Sequence, residues 1–153
     1  MAVTPEIHLL KGFCGLKFGQ KPGDAENLFG KPEETQTLKD DILDTASYVL
    51  HYWSLGFSLF FDANKSNTLN IVEVDNEETI LFGKAVFALK ENELVDLLKS
   101  NGFKLSDTEK HDWGEKRLSF DEAGLDCYFE NGRLSTLSFS ASETTENFQY
   151  FPN

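Results

Sequence analysis

The chain repeats one pattern of residues. Segments 49–52 and 56–62 (GFSLFFD) match segments 117–120 and 124–130 (GLDCYFE) at one constant offset. Segment 69–74 matches 134–139 after a turn that is three residues shorter in the second copy. An internal repeat of this length indicates a structural unit that is used twice. It constrains the fold strongly and the function hardly at all, because no catalytic signature accompanies it.

The residue pattern of each copy predicts a strand, a helix and then three antiparallel strands. Residues 22–32 and 91–102 carry helix signals, namely acids in the first turn and a glycine near the end. Polar residues 33–46 and 104–115 are predicted as loops. The main strands, from their β-branched and aromatic content, are predicted at 48–53, 56–62, 69–75, 116–121, 125–130 and 133–140, with shorter ones at 7–10, 14–18, 80–82 and 85–89.

These elements predict an α+β protein of one domain, residues 1–153. Its two structural repeats would span about 7–78 and 79–142, followed by a C-terminal tail, 143–153. The simplest arrangement is one broad, curved antiparallel sheet with the helices on one face. The tail carries three aromatic residues that are costly to leave in water, so we expect it to dock as a last strand rather than to hang free. The alternative is that the tail or residues 33–46 cover the face of the sheet opposite the helices.

Composition narrows the classes of partner. Acidic residues outnumber basic ones, 26 to 14, which gives a net charge of -12. Such a field repels the phosphate backbone of nucleic acids and attracts a basic protein, although it can also serve solubility alone. No apolar run approaches the about 20 residues that span a bilayer, and no signal peptide is evident, so we expect a cytoplasmic protein without a membrane partner.

Alternation along the strands predicts which side chains leave the core. Phe57, Leu59 and Phe61, like their counterparts in the second copy, are apolar and are assigned to the helix-covered side. The opposite side would then be aromatic and aliphatic at its middle and acidic around it, which is typical of an interaction site. The predicted partner-binding residues there are His51, Trp53, Phe60, Ile71, Asp126, Tyr128 and Glu130, joined by Trp113 from a loop.

Two other readings of the polar residues stay open. His51 on the open side could act as an acid–base group in a pocket. The segment from residue 62 to residue 73 also matches the spacing of a calcium loop, although its flanks are predicted strands rather than helices; the candidate ligands are Asp62, Asn64, Ser66, Thr68, Asn70 and Glu73. No motif indicates a cofactor.

The architecture resembles the β-lactamase inhibitor proteins and their relatives. The resemblance rests on residues 15–18 (GLKF), on the helix end at 28–32 (LFGKP) and on the paired strands 56–62 and 124–130, and it covers most of residues 12–140. It implies that two halves form one saddle-shaped sheet whose concave, aromatic face clasps a protein. The inhibitors carry a disulfide in each half and this chain has only two cysteines, so the resemblance implies a partner-binding sheet rather than a particular target.

The sequence therefore predicts a non-enzymatic protein-binding module, in the manner of an inhibitor or an immunity protein. Two alternatives remain. One is a small-ligand-binding protein or enzyme with a pocket around His51, and the other is a protein that forms homodimers or larger homo-oligomers through the same face.

Overall fold

The computed structural model describes residues 4–141 and contains two helices and two β-sheets. The elements, in chain order, are β1 (Glu6–His8), β2 (Gly12–Phe13), β3 (Leu16–Lys17), α1 (Pro22–Phe29), β4 (Glu34–Asp40), β5 (Thr45–Tyr52), β6 (Phe57–Asp62), β7 (Thr68–Val74), β8 (Ile80–Leu81), β9 (Lys84–Ala85), α2 (Glu91–Ser100), β10 (Asp107–Lys110), β11 (Glu115–Phe120), β12 (Leu125–Glu130) and β13 (Arg133–Ser140). The prediction of an α+β protein is confirmed.

The larger sheet has eight antiparallel strands in the order β10-β11-β12-β13-β7-β6-β5-β4. Strands β7 and β13 pair at its centre, where Val72 lies opposite Phe139. From that joint, each half of the chain extends outward as a meander of four strands. This order fits the open, curved sheet that was predicted.

One face of the large sheet holds the core. Leu50, Leu59 and Phe129 of the sheet belong to the same buried cluster as Ala25 of α1 and Leu94 of α2. Both helices therefore pack on the same face. Helix α2 begins after Lys90, whose backbone N–H donates to the Glu93 carboxylate at 2.8 Å.

The prediction of a single sheet is wrong. Five short strands form a second sheet, in the order β3-β2-β1-β8-β9, and its β1 and β8 run parallel. Its Phe13 packs edge-on against Phe57 of the large sheet, with ring centroids 4.9 Å apart. The small sheet thus covers the same face as the helices, and the opposite face of the large sheet receives neither helix.

The predicted loops 33–46 and 104–115 are also wrong, because they contain the edge strands β4 and β10. Every residue of these two strands is exposed, so neither shows the alternation of buried and exposed positions that marks a strand in sequence. Backbone pairing to β5 and β11 holds them. Residues 85–89 form β9 and a short 3-10 turn instead of a longer strand.

No helix among residues 4–141 is long and apolar enough to cross a membrane. The predicted docking of the tail, 143–153, lies outside the described residues.

Candidate functional site

The face of the large sheet opposite the core is called here the open face. It consists of the strand side chains that alternate with the buried core residues. Across its middle runs a row of polar neighbours on successive strands: His51 opposite Ser58, Ser58 opposite Glu73, Glu73 opposite Ser138, and Ser138 opposite Asp126. The sheet therefore brings His51 and Asp126, predicted from separate copies, onto one surface.

His51 is held at both ring nitrogens. Its Nδ1 lies 2.7 Å from the Ser58 hydroxyl oxygen, and its Nε2 lies 2.9 Å from Oε1 of Gln36 on the edge strand β4. Because the amide oxygen can only accept, Nε2–H donates to Gln36, while the Ser58 hydroxyl, which can donate or accept, pairs with Nδ1. His51 is only 8% exposed, so it has little surface for contact with a partner and acts mainly by orienting its neighbours.

Trp53 stands beside this histidine, in the 3-10 turn that follows β5. Its indole stacks on the His51 ring, with centroids 4.1 Å apart and planes 11° apart. The indole Nε1–H donates to Oε1 of Glu34 at 3.2 Å. The side chain is nevertheless 57% exposed. Trp53 is thus an aromatic plate that the protein fixes in place and leaves open to a partner.

The apolar middle of the open face is partly covered. Phe60 and Ile71 lie opposite each other on β6 and β7, and both are half-buried. Val49, opposite Phe60, is fully buried. Leu69, which simple alternation places on this face, lies in the core instead, because a bulge between Phe60 and Phe61 shifts the register.

The second half contributes a more polar surface. Tyr128 is half-buried, and burial raises the pKa of its hydroxyl, as does the neighbouring Asp126 carboxylate, while Arg117 opposes the shift. Asp126 accepts a hydrogen bond of 2.6 Å from Ser119. Glu130 lies exposed at the end of the same strand.

Charge on the open face is strongly one-sided. Among the described strand residues, the bases on this face are Arg117 and Arg133, and Arg117 already pairs with Asp107 at 3.3 Å and with Glu109 at 3.6 Å. The acids on the same face are Glu34, Asp40, Asp62, Glu73, Asp107, Glu109, Glu115, Asp126 and Glu130. The surface therefore carries many more acids than bases.

A small cleft opens beside Trp53, at the N-terminal end of β6. Its volume is about 160 Å³, and Ser58, Glu73, Asp75 and Thr136 also line it. Burial raises the pKa of Glu73 above its usual value, and His51 partly opposes that shift. This volume lies well below the roughly 300–1,000 Å³ of typical small-molecule sites.

Trp113 does not join the other predicted residues. It lies in the turn between β10 and β11, at the far edge of the sheet from β5, and stacks on His111 with ring centroids 4.3 Å apart. It is 72% exposed. Its indole is a second open aromatic surface, separate from the row that contains Trp53.

The calcium-loop residues do not converge. Asp62 and Glu73 lie at opposite ends of the β6–β7 pair, because Asp62 faces Thr68 whereas Glu73 faces Ser58. Asp62 lies four positions along the strand from Ser58, a distance of about 13 Å. Within the turn, the Asp62 carboxylate accepts a hydrogen bond from the backbone N–H of Asn64. The side chain of Asn64 donates to a backbone carbonyl, and the side chain of Lys21 donates to the carbonyl of Ser66. Ser66, Thr68 and Asn70 follow along the same turn and strand, so the set forms a hairpin rather than one ion site.

Sequence reasoning missed one exposed feature, the turn between β4 and β5. Ile42 is 94% exposed and Leu43 is 69% exposed. The Asp40 carboxylate caps the turn by accepting from both of their amides, at 3.0 and 3.1 Å. The available signal was a pair of aliphatic residues inside an otherwise acidic segment predicted to lie in solvent.

Comparison of the chain with protein-family models, with curated proteins and with solved structures finds no match.

Proposed function

We propose that the chain is a non-enzymatic binding protein whose open face binds a basic protein partner. The observation that carries this proposal is the combination of acidic side chains from most strands of the sheet with a fixed, exposed indole at Trp53. Within residues 4–141, the helices and the small sheet pack on the other face, so these elements leave the open face available to a large, rather flat surface. Its negative field would speed the encounter with a positively charged partner.

The two halves of the chain are proposed to be copies of one unit, as in the inhibitor-like architecture. Three local correspondences support this. Register shifts occur at Phe60/Phe61 and at Tyr128/Phe129, which are matched positions in the repeat. Gly56 and Gly124 are both left-handed, and each accepts a backbone hydrogen bond of 2.9 Å, from Asp75 and from Ser140 respectively.

An inhibitor or an immunity protein is the concrete form we propose for such a surface. Small acidic proteins of this kind neutralise a basic active site or a basic toxin by covering it. This step is an analogy of surface chemistry, since a fold does not determine a function.

Capture of partners from the native lysate tests the proposal. The variants are Trp53→Ala and Tyr128→Ala on the open face, with Leu28→Ala as the control, because Leu28 is an exposed apolar residue on helix α1. We expect the wild type and the control to recover the same basic protein, and both face variants to lose it. Recovery that is equal for all four folded proteins would overturn the proposal.

The alternative of a small-ligand-binding protein or enzyme has one supporting observation. The Ser58 hydroxyl and His51 Nδ1 are 2.7 Å apart, which is the spacing of a nucleophile and its base. A fluorophosphonate probe, which labels activated serines, separates the two readings. Labelling that disappears in Ser58→Ala supports the enzyme, whereas no labelling of the folded wild type counts against it.

The third possibility is that the open face of one molecule meets that of a second copy. The acidity of both surfaces opposes this association. Light scattering across a range of protein and salt concentrations measures it directly. A mass that doubles with concentration in the wild type but not in Trp53→Ala would favour the homo-oligomer over a foreign partner.

A further inference from the structure

The cleft beside Trp53 combines three chemical features in a small volume. The aromatic plate of Trp53 lines it, Glu73 and Asp75 supply carboxylates, and Ser58 and Thr136 supply hydroxyl groups. Gly56, Phe57 and Val74 complete the lining. Aromatic faces and carboxylates both attract cations, while hydroxyl oxygens can accept further hydrogen bonds.

Within the part of the chain that the structure describes, the carboxylates of this cleft form no ion pair. Among the ion pairs of residues 4–141, none involves Glu73 or Asp75. His51 partly opposes the rise in the pKa of Glu73, but it forms no ion pair with that carboxylate among the described residues. Glu73 is solvent-exposed, so an incoming cation can reach its carboxylate, and partial burial raises its pKa. An incoming cation would supply the missing countercharge.

The aromatic wall is held in position before any ligand arrives. His51 stacks against one side of the indole, and Glu34 holds its Nε1–H. A fixed side chain loses little conformational entropy on binding, which favours affinity. The cleft is too small for a drug-sized molecule, and its volume suits a single long side chain.

We propose that this cleft binds a guanidinium group, supplied by an arginine side chain of the protein partner. Guanidinium is planar, so it can stack on an indole while its N–H groups donate to carboxylates. The hydroxyl oxygens of Ser58 and Thr136 can accept hydrogen bonds from the remaining N–H groups of the guanidinium. The assignment rests on the proposed function, because it names the residue type through which a basic partner is anchored on the open face.

A titration with a blocked amino acid tests the site without knowledge of the partner. The protein carries Trp113→Phe, so Trp53 is the only tryptophan and its fluorescence reports the cleft. The probe is N-acetyl-arginine amide, and the control ligand is N-acetyl-citrulline amide, which has nearly the same shape and no charge. We expect a saturable change with the arginine compound and none with the citrulline compound over the same range.

Matched variants locate the site. Glu73→Gln and Asp75→Asn should each weaken binding of the arginine compound about tenfold, as expected for the loss of a charge-assisted hydrogen bond. Glu122→Gln, an exposed acid in the turn before β12, should change it little. Equal binding of the citrulline compound, or equal losses in Glu73→Gln and Glu122→Gln, would overturn the guanidinium site.

Two further arms separate this inference from the proposed function. Free L-arginine that binds much more tightly than the blocked amide would show a free metabolite site and overturn the assignment to a protein side chain. If Trp53→Ala loses a basic partner from the lysate while Glu73→Gln and Asp75→Asn both retain it, the proposed function stands and the guanidinium site fails.

Discussion

The indole of Trp53 lies flat against the imidazole of His51, with ring centroids 4.1 Å apart. His51 is itself fixed by Ser58 on one strand and by Gln36 on another. A buried polar contact therefore orients an exposed aromatic residue. This relationship links the stability of the sheet to the shape of its open face.

Loss of the His51 hydrogen bonds should destabilise the fold. In His51→Leu, the buried hydroxyl of Ser58 is left without its hydrogen-bond partner, so we expect the free energy of unfolding to fall by about 1–3 kcal/mol. Urea denaturation measures the loss. The double variant His51→Leu/Ser58→Ala should be no less stable than the single one, because both buried polar partners are then gone. A double variant with the two losses fully added would contradict this account.

The matched glycines Gly56 and Gly124 should be equally intolerant of a side chain. Both have positive φ, and an added Cβ would lie 2.7 Å from the Asn76 Cβ at the first and would meet the Ser140 carbonyl oxygen at the second. Gly15→Ala is the control, since it is also left-handed but nothing lies within 4 Å of its Cβ. We expect a loss of about 1–2 kcal/mol for the control and a larger loss for the other two. Thermal unfolding that ranks the control with either of them would refute the prediction.

The difference in free energy of unfolding between Glu73→Gln and the wild type should depend on pH. Desolvation raises the pKa of this carboxyl above 4.5, so the folded chain holds its proton more tightly than the unfolded chain does. The ionised form therefore costs stability, and this cost appears as pH rises from 4.5 through the higher pKa of the folded state. We expect Glu73→Gln to be more stable than the wild type at pH 7 and nearly equal to it at pH 4.

Glu122→Gln again provides the comparison for that pH series, because Glu122 is exposed and outside the sheet. The groups whose charge acts on Glu73 must be kept unchanged, in particular His51, which opposes the shift. A difference between wild type and Glu73→Gln that is flat with pH, or that grows toward low pH, would refute the raised pKa.

The exposed tip Ile42-Leu43 should contribute to binding and not to folding. The Asp40 cap acts through backbone amides, so Ile42→Ser/Leu43→Ser leaves the turn intact. We expect unfolding free energies within about 0.5 kcal/mol of wild type. We also expect weaker recovery of the partner, because two aliphatic side chains no longer leave water on contact. Full recovery by this variant would restrict the partner to the strands of the sheet.

The main strands and both helices could be predicted because their residues alternate between core and solvent or follow helical spacing. Residues 125–130 and 133–140 were predicted with the bounds that the structure has. Strands β4 and β10 could not be, because every one of their residues is exposed and no alternation marks them in the sequence. The second sheet was missed for a related reason, since its strands have only two or three residues each.

The candidate site was predicted unevenly. Alternation placed His51 and Tyr128 on the same side of the sheet, but it could not show that His51 would be buried by contacts with Gln36, a residue predicted to lie in a loop. The bulge at Phe60/Phe61 moved Leu69 into the core, and a one-residue register shift leaves no mark in the pattern of the sequence. Whether the open face binds a partner stays a prediction.

Photo-cross-linking from the centre of the open face tests that prediction most directly. A benzophenone amino acid replaces Phe60 in one variant and the exposed Leu28 of α1 in the other, and both are irradiated in the native lysate. We predict that the variant at position 60 forms a covalent adduct with one basic protein, that high salt suppresses the adduct, and that the variant at position 28 does not form it. An adduct formed equally from both positions, or from position 28 alone, would contradict the account.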